Sequence, residues 1–165
     1  MARCLIIGCG CRGCLLAAEL NADGHAVRGT TRHAEHAGRI EAAGAELHLG
    51  DPDRVATLAP ALEHVSIACI LLASATGTPE QLGALHGTRL EMLLARMLDT
   101  TVRGIVYEAR GTIDRAVLGA GAQRVRAICE GSQIPYVLLA ADPGEADVWL
   151  AGARAAVAEL LGSAR

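Results

Sequence analysis

The chain has 165 residues, 52% hydrophobic and 20% charged, so it can fill one good core, is too short for two, and is too apolar for disorder. Aromatic residues make up 2%, with no Phe, and the formal net charge is −3; base stacking, a nucleic-acid partner and an anionic membrane surface are all disfavoured. All 15 basic residues are Arg, which excludes a Walker-A lysine, a lysine Schiff base and a Tyr-x-x-x-Lys site.

Short apolar runs alternate with helical patterns along the whole chain. Arg3 to Ile7 reads as a buried strand, followed by a helix from Gly13 to Ala22 that Asp23-Gly24 stops. His25 to Gly29 is a second strand, His33 to Ala43 a helix closed by Gly44, and Ala45 to Leu49 a third strand. Asp53 to Leu62 predicts a short helix. Val65 to Ala73 is the most apolar stretch and reads as a central strand covered on both faces. Thr78 caps the next helix, with Pro79 in its first position; it runs to about Leu98 and is interrupted near Gly87. Val102 to Tyr107 is the fifth strand, Ile113 to Glu130 a helix weakened by Gly119 and Gly121, Pro135 to Ala140 the sixth strand, and Pro143 to Leu161 the closing helix.

Strands this short and apolar, each followed by a helix, imply an α/β fold: a doubly wound, parallel, six-stranded sheet in Rossmann order 3-2-1-4-5-6 with helices on both faces. The expected organisation is one domain over residues 1–165. No apolar stretch is long enough to span a bilayer or serve as an export signal, so the expected location is cytoplasmic, with no membrane partner. The six cysteines are then expected to be reduced; Cys4, Cys9, Cys11 and Cys14 crowd the N-terminus, while Cys69 and Cys129 stand alone.

Gly8-Cys9-Gly10-Cys11-Arg12-Gly13 is a G-x-G-x-x-G run placed directly after the first strand and opening the first helix. In that context Gly8 serves the tight turn, Gly10 the approach of a pyrophosphate and Gly13 the close packing of helix on strand. The expected ligand is a dinucleotide. At the end of the second strand an NAD site carries an acidic residue for the ribose hydroxyls; here Thr30, Thr31 and Arg32 stand instead, a set suited to a 2′-phosphate, so NADP is expected ahead of NAD. Arg12 is a second cation for that phosphate or for the pyrophosphate. Asp51 can accept from an adenine amino group or cap the helix after it. Ala73 and Ser74 are small, as a loop running under a cofactor requires.

LIIGCGCRG, VRGTTR, GDPD, ILLASA, GIVYEARGTI and IPYVLLAADP together resemble the atypical and extended short-chain dehydrogenase/reductase superfamily, which includes nucleotide-sugar epimerase-like and NmrA-like proteins. The resemblance implies an NADP-binding Rossmann domain. It also implies a Tyr-x-x-x-Lys pair, and here the sequence departs from it: Tyr107 is followed by Glu108-Ala109-Arg110-Gly111 and Tyr136 by Val137-Leu138-Leu139-Ala140. The C-terminal segment that builds the substrate pocket in such enzymes also has little room.

Three other groupings carry chemistry. Cys9-x-Cys11-x-x-Cys14 has spacing suited to a metal or a redox cluster, but lies in the loop that the glycines serve, and no metal site is expected. His33-x-x-His36 lacks a third ligand. Glu108 closes the fifth strand at the carboxyl edge of the sheet, where it is either a general acid or base, alongside Tyr107, or a structural carboxylate paired with Arg110. The reading is an NADP(H)-binding domain without the usual catalytic pair, acting as a nucleotide-state sensor or interaction protein. The alternatives are an oxidoreductase or epimerase-like enzyme working through Tyr107 and Glu108, and a structural Rossmann module with no ligand. A homo-oligomer is compatible with any of these.

Overall fold

The computed structural model describes residues 1–163. Six parallel strands form one sheet in the order β3-β2-β1-β4-β5-β6: β1 Arg3–Ile7, β2 Ala26–Thr31, β3 Glu46–Leu49, β4 Ile67–Ile70, β5 Gly104–Glu108 and β6 Tyr136–Leu139. The helices are α1 Cys11–Ala22, α2 Ala37–Ala42, α3 Pro79–Leu85, α4 Thr88–Leu98, α5 Arg115–Gly131 and α6 Ala146–Ser163. This is the Rossmann-like topology that the alternation of elements predicts. Among the described residues, no helix is long and apolar enough to cross a membrane.

The sheet separates two aliphatic cores. Leu5, Ile7, Ala68, Ile70, Ile105 and Tyr107 face one way, onto α4, α5 and a 3₁₀ stretch Val55–Leu62. Cys4, Ile6, Ile67, Cys69 and Val106 face the other way, onto α1, α2 and α6. The alternation follows from the two-residue period of a strand. Covering both faces explains why β1, β4 and β5 are almost wholly apolar, since each buried Leu, Ile or Val side chain contributes about 1.5–3 kcal/mol.

Several element boundaries differ from those that sequence alone predicts. The strand expected over Val65 to Ala73 pairs regularly only over Ile67–Ile70. The Leu71 N–H still reaches the Ile7 carbonyl, but β1 then turns at Gly8, and the Ala73 N–H is taken by the Glu108 side chain instead of a strand. The helix expected over Asp53 to Leu62 is 3₁₀, with Pro60, which lacks an N–H, inside it. His33 to Ala43 divides into a 3₁₀ turn Ala34–His36 and the short α2. The break near Gly87 is present, between α3 and α4. Thr78 forms a reciprocal capping box with Gln81 at the start of α3.

Gly121 on α5 has a packing reason. A Cβ there would collide with the Tyr107 hydroxyl and lie 3.4 Å from the His86 carbonyl oxygen. Gly119, two residues earlier, is exposed, with nothing within 4 Å of a Cβ. The two glycines therefore respond oppositely to alanine. Gly119→Ala should raise the stability measured by denaturant unfolding by up to about 1 kcal/mol through helix propensity. Gly121→Ala should lower it by about 1–3 kcal/mol through overpacking.

Candidate functional site

The carboxyl ends of the strands open into a cavity of about 580 Å³. It runs from Asp51 and Asp53 after β3, across the turn after β1, to Glu108 at the end of β5 and Trp149 on α6. Its centre is the glycine turn. Gly8 has φ +80, and a Cβ there would lie 2.5 Å from the Leu71 carbonyl oxygen, so both conformation and space demand glycine. Gly13, in the first turn of α1, faces β1 so closely that a Cβ there would meet Ile6 at 3.2 Å. Gly10 is different: a Cβ there would meet nothing within 4 Å and would project into open space.

Gly10 is also the N-cap of α1, and no side chain caps that end. The first helical bond runs from Cys14 N–H to the Gly10 carbonyl. The N–H groups of Cys11, Arg12 and Gly13 are thus the unbonded donors of the first turn, at the positive end of the helix dipole. Together they form a cradle for an anion.

Thr30 is buried, and its Oγ1 accepts from the Gly8 N–H at 3.3 Å, so it ties the turn to β2. Thr31 Oγ1 accepts from the His33 N–H at 3.1 Å. Arg32 reaches along the rim, with Nη2 3.5 Å from the Thr76 carbonyl oxygen and Nη1 3.9 Å from Asp53 Oδ2. Asp51 lines the cavity and its Oδ1 accepts from the Asp53 N–H, so it holds its own turn. Cys9 lines the cavity, with its thiol set into the space that Gly29 leaves on β2; burial pushes that thiol well up.

At the other end Glu108 is buried, with Oε1 accepting from the Ala73 N–H at 3.1 Å and Oε2 from the Trp149 indole N–H at 2.8 Å. Arg12 Nη2 lies 3.5 Å from the same Oε2, and its guanidinium sits 5.5 Å from the centre of the Trp149 ring. Arg12 Nε is buried without a hydrogen-bond partner among the described residues. Burial raises the Glu108 carboxyl above the ordinary range, against the opposing pull of Arg12 and the two N–H donors.

This geometry corrects two sequence expectations. Arg12 points toward β5 and α6, on the opposite side of β1 from Arg32, and so does not share the Arg32 end of the cavity. Arg110 pairs with Asp142, not with Glu108.

Tyr107 and Ala73 do not line the cavity, whereas Ser74 does. Tyr107 faces the other core, where its hydroxyl lies 2.6 Å from His86 Nδ1. His86 Nε2 lies 2.9 Å from the Leu72 carbonyl oxygen, which can only accept. Nε2 therefore carries the proton, and Nδ1 accepts from Tyr107. Burial lowers the His86 pKa, in keeping with this neutral state. Trp149, on the last helix, is the lining residue that sequence reading missed; no local motif marks it, because only the fold returns α6 to the edge of β5. His33 and His36, whose spacing in the sequence lacked a third metal ligand, also line the Arg32 end.

Residues 4–80 match the family described as ketopantoate reductase PanE/ApbA. No curated protein matches. Among solved structures, the chain is similar to a short-chain dehydrogenase/reductase superfamily protein from Agrobacterium tumefaciens with bound NAD (TM-score 0.67, 18% identity, 82% of this chain and 48% of that one). It is similar also to a UDP-glucuronic acid 4-epimerase from Bacillus cereus in complex with a UDP-sugar and NAD (TM-score 0.63, 14% identity, 82% and 55%). A third is vestitone reductase from alfalfa, Medicago sativa (TM-score 0.65, 15% identity, 84% and 56%). The likeness is one of fold, and the chain spans about half the length of these proteins.

Glu108 closes the network at the β5 end, so truncating it should be costly. Glu108→Ala would leave the Ala73 and Trp149 N–H groups buried without acceptors, at about 1–3 kcal/mol each. Denaturant unfolding should show a loss of about 2–5 kcal/mol, and Trp149 emission should shift as its indole loses its partner. An unchanged midpoint would contradict this account of the network.

Proposed function

We propose that the chain binds a nicotinamide dinucleotide across the carboxyl edge of its sheet and prefers NADP(H) to NAD(H). The observation that carries this reading is the cradle: three unbonded N–H groups at the uncapped start of α1, facing space that Gly10 leaves open. The pyrophosphate fits there, with the backbone of Cys11, Arg12 and Gly13 as donors. Asp51 and Ser74 line the cavity on either side. The match over residues 4–80, which runs from β1 into α3, supports the reading because it covers this cradle.

Cofactor choice rests on Arg32. Its guanidinium meets His33 Nε2 at 3.2 Å, the Thr76 carbonyl at 3.5 Å and Asp53 Oδ2 at 3.9 Å, all of them exposed contacts that a 2′-phosphate would replace with a stronger, charge-assisted one. No carboxylate stands at the end of β2 to repel that group. Thr31 stands beside it, while the Thr30 side chain supports the turn. The nicotinamide end reaches toward Glu108, Arg12 and Trp149, and the unpartnered Arg12 Nε marks it as a polar subsite.

In this reading the chain is a binding module whose output is its nucleotide state, sensed by a partner. It does not use the tyrosine–lysine pair, since Tyr107 serves the other core. One observation favours a second reading, oxidoreductase chemistry: a carboxyl raised by burial lies on the cavity wall at Glu108. A nicotinamide would supply hydride there, and Glu108 would hold or release a proton. Both carboxyl oxygens are already engaged by Ala73, Trp149 and Arg12, which favours the binding module.

Trp149, the one tryptophan, reports on the cavity. Titration of both nucleotides by Trp149 fluorescence and calorimetry should give NADPH an advantage of at least about tenfold, as expected for one charge-assisted contact of about 1.5–3 kcal/mol. Arg32→Ala should remove most of that advantage and leave NADH binding nearly unaltered. Equal affinities in the unmodified protein would overturn the NADP preference. A separate substitution tests the cradle: Gly10→Val should keep the fold, since φ is −84 there, and lose both nucleotides. Retained binding in Gly10→Val would place the ligand elsewhere.

A further inference from the structure

The thiols of the glycine turn have no part in the proposed nucleotide contacts, yet three of them meet at one place. Cys11 is the first residue of α1 and is exposed, Cys14 is one turn later and half-buried, and Cys9 is buried beneath them. Cys14 packs against the apolar cluster that contains Cys9. The Arg39 side chain comes from α2, 28 residues away in sequence, and its Nη1 donates to Cys11 Sγ at 3.4 Å. The neighbouring Ile40 packs against the same pocket around Gly29 that holds Cys9. Cys11 therefore faces α2 and solvent, while Cys14, one turn on, is half-buried.

We propose that Cys11 and Cys14 are a reversible redox dithiol, with Cys11 on the wall of the cavity. Cys11 is the thiol that an external small-molecule disulfide can reach. Its thiolate attacks one sulfur, forms a mixed disulfide and releases one reduced thiol. Cys14 then attacks the Cys11 sulfur, closes the Cys11–Cys14 bond and releases the second. Two protein thiols lose two electrons and two protons, and the small disulfide gains them. Cys9 is excluded as the attacking group by position. Its sulfur is wedged so closely that a Cβ on Gly29 would lie 2.9 Å from it and one on Gly13 3.3 Å.

The helix permits the bond by a small change. Side chains three residues apart in an α-helix have Cβ atoms about 5–6 Å apart, while a disulfide needs about 3.5–4.5 Å. Tightening the first turn toward 3₁₀ geometry, where positions i and i+3 eclipse, closes that gap. The turn can tighten because its first three N–H groups carry no helical bonds and only the Cys14 to Gly10 bond must adjust. The same three N–H groups face the cavity, so oxidation reshapes the cradle. The dithiol itself does not rest on the nucleotide reading.

The test uses the arginine between the two cysteines. The reduced, folded protein is incubated with oxidised glutathione, its free thiols are blocked under acid quench, and trypsin then cuts after Arg3, Arg12 and Arg28. Mass spectrometry should find peptides 4–12 and 13–28 joined by one disulfide and separated by dithiothreitol. The joined species should be lost in Cys11→Ser, a substitution at an exposed site that leaves the core untouched, and in Cys14→Ser. Its absence from the unmodified protein, or its survival in Cys11→Ser, would overturn the proposal, the latter by showing that Cys14 pairs with Cys9 or Cys4. Retained nucleotide binding in Gly10→Val, which would overturn the nucleotide reading, leaves this result unaffected, so the two readings fail separately.

Discussion

Three backbones approach one another closely at the end of β1, and the site depends on that approach. Gly8 takes a left-handed conformation against the Leu71 carbonyl, Gly13 lets α1 settle on Ile6, and Gly29 leaves room on β2 for Cys9. Side chains at these points would push α1 off the sheet. With them absent, the axis of α1 aims its free N–H groups along the carboxyl edge. The Thr30 hydroxyl then fixes the turn from the neighbouring strand. The cradle is thus a by-product of packing: the glycines that let the helix sit close also decide where its uncapped end points.

The second organising element is β5, where adjacent residues serve opposite faces. Tyr107 turns into the core beneath α5, and its hydroxyl and His86 satisfy each other, with Leu72 as the final acceptor. Glu108, one residue later, turns toward α1 and α6 and gathers Ala73, Arg12 and Trp149. A buried carboxylate is expensive unless its oxygens are matched by donors, and here two N–H groups and a guanidinium do so. Both networks touch the loop after β4, through Leu72 and Ala73. They fix the side of the cavity that lies opposite Arg32.

A Rossmann-like sheet hosts many chemistries, and what distinguishes this one is its side chains. The tyrosine of β5 lies on the wrong face for the cavity, and a tryptophan from the last helix takes a place on the wall. The Arg32 rim and the Glu108 wall stand at opposite ends of the cavity, with the cradle between them.

Much of the fold was legible in the sequence because it is written in local rules. Apolar runs of strand length, helical periods between them and glycine punctuation are properties of neighbouring residues, and they specified six strands, their parallel order and the turn after β1. The places of Arg32, just after β2, and Glu108, the last residue of β5, at the carboxyl edge of the sheet were legible for the same reason. What local rules cannot encode is which face a strand residue chooses when the two cores compete for it, or which distant helix completes a wall. Tyr107 and Glu108 are neighbours in sequence, and only the positions of α5 and α6 sent them to opposite sides. Arg12 could have turned toward either end of the cavity. Its direction was decided by a carboxylate 96 residues away, because Glu108 lies buried beside it and needed a donor.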